Sequence, residues 1–321
     1  CLVFNYFRGN SMYKYINILS LCFIFIFSLN AYSRSNEIEE IITTATKTEK
    51  TIQEVYKSGS NKILQYIEES FPGPGDTEVS FQAKHDGKPH GSIMIVRPIA
   101  IENDRLTFYQ AQFNNSFVLG KERQSINAGM GKRILSEDKS YFTGLNGFFD
   151  VDQEGNKRIS LGAEVKSSTF ELNANYYLGL LDDDKENAGA TERVLDGHDI
   201  NLAGQVPYTP WAKLVYTNYK WKKEKNSDDS QGKIYRGEVF VSDKVTLEGG
   251  FDDNNASDNM NFIKLTYVYP PKERPTMADG LSDQAFENSD VSKDMLTKVR
   301  RSNVITLEVE TSGVVIARGS N

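Results

Sequence analysis

Residues 158–179, RISLGAEVKSSTFELNANYYLG, carry an apolar side chain at nearly every second position, and a period of two admits only an extended chain with two unlike faces. Ile159, Leu161, Ala163 and Val165 alternate with Arg158, Ser160, Glu164 and Lys166. After a break at Ser167 and Ser168, Phe170, Leu172, Ala174 and Tyr176 alternate with Glu171, Asn173 and Asn175. The pattern predicts a hairpin. Its apolar row faces either a soluble core or lipid, and its charged row either bulk water or the inside of a pore.

The surroundings decide between these. From Thr77 to Tyr269 the same period recurs in about twelve segments of about ten residues, the length a tilted strand needs to cross a bilayer. They fall at 77–85, 90–98, 104–113, 123–135, 140–151, 156–166, 169–179, 198–206, 211–221, 232–242, 244–252 and 259–269. From the fifth onward, long connections (DQEGN, LLDDDKENAGATERVLDG, KKEKNSDDSQG, DNNASD) alternate with short ones (SS, VPYTP, SD). A sandwich has no reason for that parity, whereas an outer-membrane barrel pairs long external loops with short periplasmic turns. In lipid every backbone N–H and C=O needs a partner, so an all-strand chain there closes on itself. The expected fold is all-β, a transmembrane barrel of about twelve antiparallel strands. Ile159, Leu161, Val165, Phe170, Leu172 and Tyr176 then face lipid, and Arg158, Glu164, Lys166, Glu171, Asn173 and Asn175 face the lumen. On that reading Leu161→Arg or Leu172→Arg costs about 2–4 kcal/mol near the midplane, while Glu164→Ala and Glu171→Ala cost little. Tyr141, Phe149, Tyr176, Tyr267 and Tyr269 are expected in interfacial girdles.

The N-terminus reads as an export signal. Tyr13-Lys14 after Met12 is a short basic region, Ile18 to Leu29 is apolar, and Ala31-Tyr32-Ser33 is a small-x-small cleavage site. Residues 12–33 are assigned as signal peptide and 1–11 as non-native upstream sequence. Both cysteines, Cys1 and Cys22, precede the cleavage site, so the exported chain is expected to hold together without disulfides. Residues 34–71 form a helical periplasmic segment, with Ile38, Ile41, Ile42, Ala45, Ile52, Val55 and Tyr56 at helical spacing and FPGPG as the stop.

Other features exclude rather than assign. A net charge of −7 with no basic cluster argues against nucleic acid. His85, His90 and His198 are scattered, Asp182 to Asp184 reads as solvated loop charge, and the GMG at 129–131 lacks the Lys-Ser/Thr of a phosphate loop and reads as glycine in a curved strand. No catalytic, cofactor-binding or metal site is predicted, and the chain is not expected to be an enzyme.

Four stretches carry a family resemblance: GLNGFFDVD at 144–152, RISLGAEVK at 158–166, FELNANYYL at 170–178 and LDGHDINLAGQVPYTPW at 195–211. Through Gly144, Asn146, Phe148, Asp150, Arg158, Gly162, Ala163, Glu164, Ala174, Asn175, Gly197, Asp199 and Pro207 the chain resembles the β-domain of inverse autotransporters, the intimin and invasin family. VRRSNVITLEVE at 299–310 resembles the segment that follows the barrel there and re-enters it. The resemblance implies a twelve-stranded barrel in the outer membrane of a Gram-negative bacterium, whose continuation threads out through the pore to display a passenger. Strand parity asks for something similar, because an even barrel that starts in the periplasm also ends there. The barrel is thus assigned to 76–270, and 271–321 to a plug and linker through the pore. Val291, Met295, Leu296 and Val299 have helical spacing suited to a plug at the periplasmic mouth; Arg301, Ile305 and Leu307 belong to the linker, with Val304 to Val309 extended. Adhesion is not carried over, since no immunoglobulin-like passenger is evident before Asn321 and no peptidoglycan-binding module between 34 and 70. The expected function is a translocator and anchor. A porin-like barrel that has lost its passenger and a soluble periplasmic β-protein binding a small ligand are the alternatives. Expected partners are outer-membrane lipid, barrel-assembly machinery and periplasmic chaperones, with no cofactor and an undecided oligomeric state.

Overall fold

The alternating segments pair edge to edge until the last meets the first. A computed structural model describes residues 69, 73–84, 89–118, 121–180, 185–187, 190–223, 228–255, 260–311 and 314–318; the assigned signal peptide, the N-terminal helix apart from Glu69, His85 and the Asp182 to Asp184 run lie outside them. In chain order the strands are β1 (Asp76–Lys84), β2 (His90–Glu102), β3 (Arg105–Val118), β4 (Lys121–Leu135), β5 (Tyr141–Asp152), β6 (Lys157–Ser167), β7 (Phe170–Gly179), β8 (Lys185–Asn187) and β9 (Ala190–Val194). They continue with β10 (Asp196–Val206), β11 (Thr209–Lys222), β12 (Ser230–Phe240), β13 (Val245–Asn254), β14 (Met260–Tyr269), β15 (Leu307–Thr311) and β16 (Val314–Arg318). Twelve of them close an antiparallel barrel in the order β1-β14-β13-β12-β11-β10-β7-β6-β5-β4-β3-β2. The seam runs from Thr77 opposite Tyr269 to Lys84 opposite Phe262.

The period of two sorts side chains between the faces. On β6 Leu161 is 71% exposed on the outer face while its near neighbour Arg158 is fully buried in the lumen. The outer face continues through Phe113, Met130, Leu145 and Leu214, all exposed, and the inner face is largely polar. β3 runs to Val118, past the expected end at 113, because Asn115 still pairs with Gln124 and Val118 with Lys121; the polar run NNS conceals this continuation in the sequence. Pro98 cannot donate to the ladder, and the β2–β3 register shifts between Pro98 and Ala100. The glycines of GMG have a packing purpose: a Cβ on Gly129 would lie 2.2 Å from the Phe148 ring and one on Gly131 2.5 Å from the Phe108 ring.

β1 begins and β14 ends at one end of the barrel, here the near end. Its turns include Ser136 to Ser140, Ser168-Thr169, Pro207-Tyr208 and Val241 to Lys244. The far end carries the stretch between β7 and β10, expected as a plain external loop. It holds two short strands instead, β8 and β9, in a four-stranded sheet ordered β16-β15-β9-β8. Among the described residues β8 pairs only with β9, and β9's other partner, β15, lies more than a hundred residues away, so the loop's own charged sequence gives little sign of them.

After β14 the chain follows the near-end rim. The Lys272 amide donates to Asp243 O, Ser282 N to Tyr208 O, and Val291 N to Lys139 O. The Ser168 hydroxyl donates to Glu287 O at 3.1 Å. These are the β12–β13, β10–β11, β4–β5 and β6–β7 turns, so the strap spans half the rim. A 3-10 turn at Met277–Asp279 lies on this path, and the Trp211 indole donates to Gly280 O. The strap ends in a second 3-10 turn, Ser292–Leu296, in place of a full helix over 291–299.

Candidate functional site in the barrel lumen

The 3-10 turn Ser292–Leu296 sits in the near mouth because one of its sides is apolar. Val291, Met295 and Val299 are buried against Val96, Leu106, Phe108, Leu135, Phe142 and Phe148, with Leu296 packed alongside. Beneath it lies Arg133, whose guanidinium stacks 4.3 Å from the Phe108 ring and donates to Met295 O at 2.6 Å and Thr297 O at 2.7 Å. It thereby satisfies carbonyls that the end of the turn leaves free. At the mouth's edge the Ser292 amide donates to the Asp290 carboxylate at 2.8 Å, and the hydrogen bonds from Ser292 hold that carboxyl below its ordinary range.

From Lys298 to Thr306 the tail runs inside the barrel, and its side chains meet acids from opposite walls. Lys298 donates to Glu78 on β1 at 2.7 Å, and Arg300 to Glu171 on β7 at 2.7 Å and Glu238 on β12 at 2.8 Å. Arg301 grips Asp150 on β5 with two bonds of 2.7 and 3.1 Å. Arg158 on β6 shares that carboxylate at 2.8 Å and donates to Ser302 O at 2.8 Å and Val304 O at 3.2 Å. The Arg158, Arg301 and Asp150 side chains are all fully buried.

Uncharged groups bind the tail's backbone. Val299 N donates to Gln110 Oε1 at 2.9 Å and Ser302 N to the Tyr177 hydroxyl at 2.7 Å. Asn175 donates to Arg300 O and Asn127 to Asn303 O, each at 2.9 Å. Tyr177 in turn donates to Asp199 at 2.6 Å. A buried charge is tolerable only when paired and hydrogen-bonded, and here wall and tail complete each other.

Arg158, Glu164, Glu171, Asn173 and Asn175 are buried in the lumen and Lys166 half-buried there; Leu161, Val165, Phe170 and Tyr176 are exposed on the outer face, with Ile159 and Leu172 half-buried on it. The expected tolerance of Glu164→Ala and Glu171→Ala does not fit these surroundings. Glu164 accepts from Arg133 at 2.8 and 3.0 Å, and Glu171 accepts from Lys213 at 2.6 Å as well as from Arg300. Removing Glu164 takes away the carboxylate paired with the buried Arg133, and removing Glu171 takes away the one paired with Lys213, while Arg300 keeps Glu238. The linker departs from a continuous extended run over Val304 to Val309: residues 302–306 are irregular in the lumen, and strand structure begins at Leu307, where β15 finds β9 and β16. Ile305 and Leu307 are buried in that far-end cluster. Arg133, Tyr177, Glu238, Lys298 and Arg300 carry much of the site without having been singled out in the sequence. Alternation on β4, β7 and β12 places Arg133, Tyr177 and Glu238 on the inner row, but nothing local names their partners, and Lys298 and Arg300 lie in the tail outside any strand. Beside the tail, toward β1–β3 and β12–β14, a polar cavity of about 120 Å³ remains, lined among others by Ser80, Gln112, Arg236 and Lys264.

The comparisons agree with this architecture. A solved structure described as "Unveiling the Mechanism Behind the in-meso Crystallization of Membrane Proteins" aligns with 73% of this chain and 100% of its own, at 17% identity and a TM-score of 0.59. An outer membrane channel from Pseudomonas putida F1 covers 62% of this chain and 97% of its own, at 10% identity and a TM-score of 0.48. The KdgM porin covers 60% and 98%, at 6% identity and a TM-score of 0.42. At 17% identity the likeness to the first of these is one of fold. No curated protein sequence matches the chain. The profile of the family described as inverse autotransporter, beta-domain, matches residues 28–299, a span that takes in all twelve barrel strands and the tail as far as Val299. On that match the chain belongs to the inverse autotransporter β-domain family, and it is a barrel of the Gram-negative outer membrane.

Proposed function

We propose that the barrel is a translocator and anchor that holds its own C-terminal segment threaded from the periplasmic side, at the near end, to the cell surface at the far end. One observation carries this reading. The run Lys298 to Ser302 is bonded to walls on opposite sides of the lumen, Glu78, Asp150, Glu171, Glu238 and Tyr177, so the pore interior is fitted to this segment. Export on this reading needs no nucleotide site; the polar lining and folding of the emerged chain supply the driving force. Lipid of the outer membrane contacts the apolar outer face, and barrel-assembly machinery and periplasmic chaperones are the partners such a barrel needs on its way there. A peptide tag placed after Asn321 should be reached by antibody on intact cells, and deletion of residues 281–321 should raise ion conductance in planar bilayers. A hidden tag together with unchanged conductance would overturn the reading. The second reading, a porin-like barrel, is favoured by the polar cavity beside the tail; it requires the intact chain to conduct as well as the truncated one.

A further inference from the structure

The stretch between β7 and β10 is the long far-end connection, and it does more than cover the mouth. β9 pairs antiparallel with β15, Leu307 opposite Val194, Glu308 opposite Arg193, Val309 opposite Glu192 and Glu310 opposite Thr191. β9 is itself fixed to the barrel. The buried Glu192 carboxylate accepts two bonds from Arg123 on β4, at 2.8 and 2.6 Å, and one from Asn156 of the β5–β6 turn at 2.8 Å. Arg123 also holds Asp152 at 2.8 Å. An acid buried this deeply in a far-end loop has a structural task, and its position in the middle of β9 fixes that strand's height and orientation above the pore. The tail's side of the contact is apolar. Ile305, Leu307 and Val309 are buried together, with Ala190 and Val194 packed on them.

We propose that β9 is a capture strand: as the tail emerges, residues 305–311 add to its edge by backbone pairing, and this pairing both starts folding outside the pore and blocks slippage back. The inference rests on the translocator reading and names the element that makes passage one-directional. Main-chain pairing needs only an extended chain, so it can begin before any side-chain core exists. Once β15 has paired with β9 on one edge and β16 on the other, the tail is too broad to follow the single-file path past Arg158 and Tyr177. Apolar alternation in ITLEV then has a second use, because Ile305, Leu307 and Val309 leave water only when the pairing forms.

The direction of the donors shows where to cut. Leu195 N donates to Thr306 O at 3.0 Å, and residues two apart on a strand point their N–H groups the same way, so Arg193 and Thr191 present theirs to β15. The double variant Thr191→Pro/Arg193→Pro removes both donors. Its control, Thr191→Ala/Arg193→Ala, keeps them and loses only side chains. Both would be made in the full chain carrying Glu310→Cys, with the cysteine-unmodified chain as blank and heat-modifiable gel mobility to confirm closed barrels. Intact cells are pulsed with a membrane-impermeant maleimide at a fixed time after synthesis. The proline variant should label at least fivefold less than the parent, and the alanine variant as well as the parent. Equal labelling of the proline variant, or an equal fall in the alanine variant, would overturn the capture strand. A parent that does not label from outside while its barrel is closed would instead remove the translocator reading on which the capture strand depends.

Discussion

The tail is held at the near mouth and at mid-lumen by opposite kinds of chemistry. Val291, Met295 and Val299 are packed into an apolar socket, whereas Lys298, Arg300 and Arg301 are gripped by carboxylates. Burying one apolar side chain is worth about 1.5–3 kcal/mol and is indifferent to small slides along the socket. A bidentate guanidinium–carboxylate pair has one good geometry, and a displacement of one residue destroys it. The apolar socket therefore supplies retention and the ionic grip supplies register. An even distribution of one chemistry along the tail could not do both.

The largest way to break this contrast is Asp150→Ala. It leaves Arg158 and Arg301 buried without their shared carboxylate, and should destabilise the folded barrel by about 3–5 kcal/mol in folding titrations into lipid vesicles. A loss below about 1 kcal/mol would show that the two guanidinia are satisfied without it, and the ionic grip would lose its central member. Next in size is Met295→Ala, which should weaken docking of the mouth segment by about 2 kcal/mol, read as faster hydrogen exchange over 291–299. Because the charge beneath the socket, Arg133, is buried and paired with Glu164, salt screens it little and raising the salt should leave that exchange unchanged; a salt response would mean that the two anchors act as one. At the bottom of the scale stands Glu273→Gln. Glu273 and Lys293 pair on the surface of the strap and are 77% and 73% exposed, so their loss should move neither the titration nor the exchange pattern. A clear shift in either would place the strap among the anchors.

How much of this could be read in advance follows from where each partner lies along the chain. Leu161 and Arg158 announce their faces within a few residues, because the period of two is a local property. Val291, Met295 and Val299 announce an apolar side for the same reason, although the spacing alone could not say that a 3-10 turn would serve in place of a helix. Arg133 with Glu164, Arg301 with Asp150 and Arg300 with Glu238 are separated by 31, 151 and 62 residues, and which acid meets which base depends on barrel closure and the height at which the tail stops. Asp150 and Asp199 stood out only through the family resemblance, with no role attached. β8 and β9 could not be read at all, since a short strand in a charged loop exists by virtue of what pairs with it.

The strap bears on how the molecule would carry mechanical load. Bonded in succession to the β12–β13, β10–β11, β6–β7 and β4–β5 turns, it joins the last barrel strand to the mouth segment by a half-circle instead of a direct link. A pull on the tail from the far end meets the β9–β15 pairing first, then the mid-lumen pairs in shear, and reaches the strap only after these and the apolar socket have yielded. Once the mid-lumen pairs, Lys298–Glu78 on β1 among them, have broken, the strap's bonds are loaded one turn at a time, from Lys139 backward, and β14 is the last place the force arrives along the chain. A tether arranged in this order gives way by paying out chain, and the barrel stays closed while it does so.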